Sequence, residues 1–479
     1  MVPVSPADGQ KLSLRALIGL VVGSMIGSGI FALPSAFGRV TGGAGALIAW
    51  SVAGVGMLML AFVFQTLARR KPDLDSGIYA YAKAGFGAYP GFASAAGYWF
   101  GACLADVACL VLIKATLGLF IPMFGDGTTP IAIVAASVVL WGVHFMVLRG
   151  VQQAAALNTI ATVAKIVPIG LFVVVAIAAF RSDLFVQNFW GGEAPTLSNI
   201  LGQTRGSMLV TVFLFVGIEG ASVYSRYARR REDVGIATVL GFLGVLCLLV
   251  LVTLLSYGVL PRDDLSRLPS PSMAGVLEAI VGPWGKVFIS IGLVVSVLGN
   301  YLSWSLLAAE VVYSAARNNT MPSFLATENA NKAPAAALWL TNAVIQLFLV
   351  FSWFAEQAFH VALKMTSAMT LVPYLLVAAY GLKLALTGET YAADDRRRRA
   401  DAICGGIATV YAIGMLYAGG AKFVMLSALL YAPGTLLFLI ARREQGQPVF
   451  TRPEWLMFGA IVAAALAGLA GIVSGDISI

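Results

Sequence analysis

Two hydrophobic stretches of this chain hold small residues and hydroxyls where an ordinary membrane helix holds Leu and Val. The first reads GSMIGSGIF (Gly23–Phe31) and the second FVGIEGAS (Phe215–Ser222), with Glu219 inside it. Glycine lets a chain leave helical geometry at little steric cost. In a bilayer, backbone groups released in this way persist only where protein or a water-filled cavity satisfies them. The chemistry on offer is therefore polar main chain. A half-helix N-terminus, with the Ser28 hydroxyl beside it, attracts a carboxylate. Carbonyls freed at the second break accept from an ammonium. Gly27 and Gly29 let a ligand approach the backbone. Opposed donors and acceptors match the zwitterion of an α-amino acid. Small residues also pack membrane helices together, which explains either cluster taken alone. Two breaks, one with an acid inside it, point instead to a solute site near the bilayer midplane.

Ionisable residues inside apolar stretches are costly unless paired, protonated or hydrated. Glu219 reads as a gate or proton-responsive switch, and a structural hydrogen bond to the unwound first helix is compatible with that. Asp106 ends YWFGACLAD (Tyr98–Asp106) in the third stretch and suits a cationic side chain. Lys114, two turns on, and Lys364 are the internal alternatives. Lys165, in NTIATVAKIVPI, could stand where a sodium ion sits in ion-coupled carriers, titrate when desolvated, or bond to a backbone carbonyl. Trp304 and Phe213 offer flat surfaces for a guanidinium or ammonium, or simply pack. Glu310 reads as a counter-charge to a buried Lys, and His144 and His360 as structural. No nucleophile–base pair, phosphate loop or metal set is visible, and GSGIF lacks the dinucleotide spacing. The chain reads as a non-enzyme with no cofactor and no metal.

The elements that must hold these residues follow from composition. Hydrophobic residues are 59% and charged residues 11%. About 20 apolar residues cross the hydrocarbon core as a helix. Such stretches lie near 13–38, 43–68, 90–120, 130–148, 155–180, 206–225, 236–260, 283–316, 335–354, 358–386, 401–418, 422–441 and 455–474. Barrel strands would be short and alternating, so the chain is an all-α integral membrane protein. The first stretch is too long and too glycine-rich for a cleaved leader. Cys103, Cys109, Cys247 and Cys404 fall inside stretches, at no metal or disulfide spacing.

The net charge of +8 suits a membrane better than a nucleic acid, because its position alternates. Lys11 and Arg15, then Arg69, Arg70 and Lys71, Arg149, the arginines at 226–231, Arg317 and Lys332, Arg396–Arg399, and Arg442 with Arg443 fall in every second loop. The other loops hold chiefly Arg39, Arg181, Arg205, Arg262 and Arg267. Positive-inside bias places the N-terminus in the cytoplasm and the C-terminus outside. The segment 77–88, too short to span, suits an interfacial helix. Counting five stretches from each break gives two units, 13–180 and 206–386, of opposite orientation. The stretches over 401–474 remain for packing or for subunit contacts in a homodimer.

Together the breaks and their flanks resemble the amino acid–polyamine–organocation superfamily, in its basic amino acid/polyamine antiporter branch. GSMIGSGIFALPSAFG, FVFQTLARRKPDLDSGIYAYAKAGFG, FVGIEGASVYSRYARRREDVGIAT and NNTMPSFLATENANKAPAAALWLTN are similar to arginine/ornithine antiporters. The resemblance implies a 5+5 inverted repeat with discontinuous first and sixth helices, plus about three extra C-terminal helices. It implies a substrate carboxylate at Ser28 and Gly29 with Ser24 nearby, and an α-amino group at the carbonyls of Met25, Phe213 and Val216. Trp304 would lie against the side chain, in a pocket lined by Ala102, Cys103, Asp106 and Thr366. Tyr98 and Glu219 would form the gate. Phe213 stands where arginine/agmatine relatives carry Trp, and Asp106 where they carry Asn. The expected function is sodium-independent exchange of a basic amino acid across a bacterial inner membrane. A proton-coupled permease for a neutral or acidic amino acid is the alternative; a sensor or intramembrane enzyme is further off.

Overall fold

The computed structural model describes residues 13–74, 78–149, 152–219, 231–355, 357–392 and 395–477. Among the described residues all regular structure is helical. Helix α1 (Leu14–Met25) stops before Ile26 and Gly27, and a turn of 3-10 helix (Ser28–Ala32) then runs into α2 (Leu33–Gly38). The two arms meet at 47°. Pro34 sits in the first turn of α2, where a missing N–H costs nothing.

Next come α3 (Gly43–Arg70), the short α4 (Ile78–Phe86), α5 (Ala88–Gly118), α6 (Pro130–Arg149) and α7 (Gln152–Ala178). Helix α8 (Ser182–Phe189) turns through 101° from the end of α7. Helix α9 (Leu197–Phe215) leads into the second break. After it come α10 (Arg231–Tyr257), the short α11 (Arg262–Arg267) and α12 (Ser272–Val281), and the long α13 (Pro283–Arg317). The chain ends with α14 (Ala335–Phe351), α15 (Ala358–Thr387), α16 (Arg397–Glu444) and α17 (Arg452–Val473).

Eight of these helices are long and apolar enough to cross a membrane, and up to ten spans result if each bent pair counts as one. Helix α16 has 48 residues. A straight helix of that length would measure about 72 Å, more than twice the ~30 Å of hydrocarbon. Gly420, at φ 82° and ψ 163°, breaks it between the expected spans 401–418 and 422–441. Only glycine takes that conformation readily.

Helix α5 is the central post. Its most apolar window is 94% buried, against 11% for α17, which leaves α17 on the rim. A helix that is apolar all round belongs inside a bundle. Helices α13 and α15 pack along α5, and α16 covers α15. At the end carrying Arg70, that guanidinium bonds Asp395 at 2.7 Å, lies 3.5 Å from Asp401, and stacks 3.4 Å from the Tyr391 ring centroid. Lys71 pairs with Glu389 alongside.

Some boundaries differ from the sequence reading. Helix α9 begins at Leu197 rather than 206, with Thr196 Oγ1 accepting from Asn199 N at 3.3 Å as its cap. Its first turns hold Asn199, Gln203 and Arg205, so a hydropathy window misses them. Of the expected span 206–225, residues beyond 219 lie outside the described residues, as does part of the second motif. Helix α14 has 17 residues, shorter than the stretch 335–354. Within the segment 77–88, Ile78–Phe86 form the short helix α4. Helices α8, α11 and α12 occupy what reads as loop, each too short to register as a span.

Candidate functional site

The first break brings the end of α1 against the end of α9. Ser24 Oγ donates to Gly217 O at 3.1 Å and to Val21 O at 2.9 Å. Gly217 holds φ 108°, and a Cβ there would lie 2.7 Å from Ser24 O. Glycine is required on both counts. At Gly29 a Cβ would meet Leu214 Cδ2 and Phe213 Cδ1, each at 2.8 Å. Past α9 the backbone tightens, with Val216 N donating to Phe213 O at 3.3 Å and Ile218 N to Phe215 O at 3.2 Å.

Between these ends lies a narrow cavity, partly open to the outside. Ser24, Met25, Ser28, Gly29, Phe213, Val216, Trp304 and Thr366 line it. Gly27, Ala105, Cys109, Leu214 and Asn300 complete the wall. Of these last five, the sequence assigns a ligand-facing role only to Gly27. Asn300 was detectable as an amide within an apolar helix; Ala105, Cys109 and Leu214 gave no signal. Ser28 is 1% exposed, and its Oγ has no hydrogen-bond partner beyond the weak neighbour Cys109.

Beside the cavity, Glu219 collects donors. It accepts from Tyr98 OH on α5, from Tyr374 OH on α15 at 2.7 Å, and from Gly217 N at 3.1 Å. The Tyr98 ring lies 6.5 Å from that of Trp304. One carboxylate thus joins α5, α15 and the second break. The link between the breaks themselves runs through Ser24.

Lys165 on α7 donates to Gly23 O at 3.0 Å and to Asn300 Oδ1 at 3.4 Å. Asn300 Nδ2 in turn faces Cys109 Sγ at 3.6 Å. The ammonium therefore holds the Gly23 carbonyl near the end of α1, and the Asn300 amide passes that contact on to the cavity wall.

Asp106 is fully buried on α5, and neither carboxylate oxygen has a hydrogen-bond partner among the described residues. The internal ion pairs open at the sequence level are not made. Lys114 Nζ is also without a partner, and Lys364 Nζ lies 5.9 Å from the Phe423 ring centroid. Ala102 and Cys103 are buried on the same helix, and like Asp106 they are not among the residues that line the cavity. His144 Nδ1 lies 3.0 Å from Asn342 Nδ2 in a packed aromatic cluster, and Glu310 is half-buried on α13. Among the described residues no group of three or more His, Cys, Asp or Glu could hold a metal ion.

The profile of one protein family, described as amino acid permease, matches residues 12–441. The chain belongs to the amino acid permease family. This permease is 52% identical to an arginine/ornithine antiporter of Pseudomonas aeruginosa, over 99% of its own length and all of the relative. It is 42% identical to an L-lysine transport protein of Corynebacterium glutamicum, over 99% of its length and 97% of the relative. To an arginine/agmatine antiporter of Chlamydia pneumoniae it is 36% identical, over 98% of each chain. The family and these relatives are transporters. With its apolar helices, the permease is a multi-pass membrane protein.

Proposed function

We propose that this chain is a secondary active antiporter that exchanges a basic amino acid, of arginine, ornithine or lysine type, for a related amino acid or amine by alternating access. The observation that carries the reading is the cavity between the ends of α1 and α9, which the Ser24–Gly217 hydrogen bond joins. The names of the relatives supply the substrate class.

In this reading the substrate carboxylate meets the N–H groups and hydroxyl at Ser28 and Gly29, beside Ser24. Its ammonium meets the carbonyls of Met25, Phe213 and Val216, and its side chain passes Trp304 and Thr366. The distal cation is directed towards Ala102, Cys103 and Asp106. Tyr98 and Glu219 form the gate. Lys165, bonded to Gly23 O, supplies a fixed positive charge that makes sodium unnecessary. The two units 13–180 and 206–386 form the inverted repeat, and 401–474 the additional helices. The protein sits in a bacterial inner membrane with its N-terminus in the cytoplasm. Lys114 and Lys364 do not line the cavity, which favours a cationic substrate over an acidic one.

Counterflow in proteoliposomes tests this. External arginine should drive release of internal labelled ornithine without sodium. Exchange of glutamate or alanine, with none of arginine, ornithine or lysine, would defeat the substrate assignment.

A further inference from the structure

Asp106 poses an electrostatic problem that the gate does not share. Glu219 accepts from Tyr98, Tyr374 and Gly217; Asp106, at 0% exposure, has both oxygens unpartnered among the described residues. An ionised carboxylate so placed would lack the pairing that a buried charge requires.

The neighbouring charges do not supply that pairing. Among the described residues, the titratable groups that feel the charge of Asp106 include Cys103 and Cys109 on its own helix and Tyr301 on α13, none of them a cation. Lys165 on α7 is bonded to Gly23 and Asn300. Lys83 on α4 is bonded to Asn318 O and Thr320 Oγ1. Lys364 on α15 and Lys422 on α16 flank Phe423. Lys114 makes no bond to Asp106.

The position of Asp106 relative to the cavity is equally specific. Ala105 and Cys109 of α5 line the wall. At 3.6 residues per turn, Asp106 lies only about 60° around the helix from Cys109. Turning α5 by about that angle would bring the Asp106 carboxyl to the position that Cys109 holds on the wall.

We infer that Asp106 is a shared site for which a proton and the cationic side chain of the substrate compete. This rests on the basic-amino-acid reading above and deepens it. Without substrate the carboxyl is protonated and neutral. When a guanidinium or ammonium arrives, the O–H bond breaks, the proton leaves for bulk water through the open side of the cavity, and the carboxylate pairs with the cation. The site is neutral in both states. Exchange of one basic amino acid for another then moves no net proton, and return of the empty carrier brings one proton back.

Titration calorimetry of the purified full-length protein with L-arginine, in buffers of different ionisation enthalpy, counts the protons. Close to one should be released per arginine bound wherever affinity rises with pH, at up to about tenfold per pH unit. In Asp106→Asn the release should vanish and the affinity lose its pH dependence. Infrared difference spectra of the unmodified protein give a second readout, the loss of a protonated carboxyl C=O band when arginine binds. Arginine binding with no proton release and pH-independent affinity overturns this inference alone, as does release that survives in Asp106→Asn. Absence of binding by arginine, ornithine and lysine defeats the reading on which it rests.

Discussion

Ser24, next to the last residue of α1, donates its hydroxyl to the carbonyl of Gly217, two residues past the end of α9 and 193 positions further along the chain. With the packing of Gly29 against Phe213 and Leu214, that bond holds the two ends together beside the cavity they line.

Ser24→Ala removes the bond and leaves the Gly217 carbonyl in a poorly hydrated site, at a cost of about 1–3 kcal/mol. The expected outcome is a folded protein with weaker substrate affinity and a lower melting temperature. Thermal shift with and without arginine measures both, since a ligand stabilises the state it binds.

Gly217→Ala should be worse than Ser24→Ala. It forces a Cβ to 2.7 Å from Ser24 O at φ 108°. Strain of about 1–3 kcal/mol adds to the lost geometry. Counterflow should fall below detection while expression persists; exchange at the normal rate would refute the close approach of the two breaks.

Trp304→Ala tests the aromatic wall. A desolvated cation–π contact is worth about 2 kcal/mol, or roughly 30-fold in affinity. Arginine should lose that much, while Trp304→Phe keeps most of it. Equal loss in both variants would mean that Trp304 acts by shape alone.

Tyr374→Phe removes one of the donors to Glu219 and leaves the aromatic packing against Phe64 intact. The exchange rate should change more than the substrate affinity, because Tyr374 does not line the cavity. Initial-rate counterflow over a range of arginine concentrations separates the two.

The charge cluster at the other end predicts a pH window. The hydrogen bond from Arg70 holds the Asp395 carboxyl below the usual carboxylate range. Its stabilisation is present above the unfolded-state value and is lost as pH falls through the folded one. The bond to Glu389 raises Lys71, whose contribution is present below its unfolded value and is lost as pH rises through the folded one. Burial, with help from the bond to Asp401, pushes Tyr391 up to about 12, which keeps it a donor at neutral pH. Amide protection over 383–392 and 395–401, corrected for the pH dependence of intrinsic exchange, should therefore be greatest near neutrality and fall below about pH 4, where carboxylates titrate. In Asp395→Asn the acid-side change should shrink.

The sequence by itself determined that this chain crosses a membrane as helices, because length and apolarity are local properties. It also located the first break, because Gly27 and Gly29 announce a departure from helical geometry in the residues themselves. Of the second break it marked Gly217 and Glu219, where hydropathy alone would have drawn one continuous span. It read Asp106 and Lys165 as out of place in lipid, since an ionisable group among apolar neighbours is conspicuous without coordinates. Tertiary structure decided their partners. Nothing in the order of residues says that Lys165 holds Gly23 O and Asn300, that Tyr374 serves Glu219, or that Lys114 and Lys364 leave Asp106 unpaired. A hydrogen bond is settled within a few ångströms, and those distances follow from how α1, α5, α7, α9, α13 and α15 pack together. Hydropathy sets the depth of a residue in the bilayer. Only the packing of the helices sets which residues face each other at that depth.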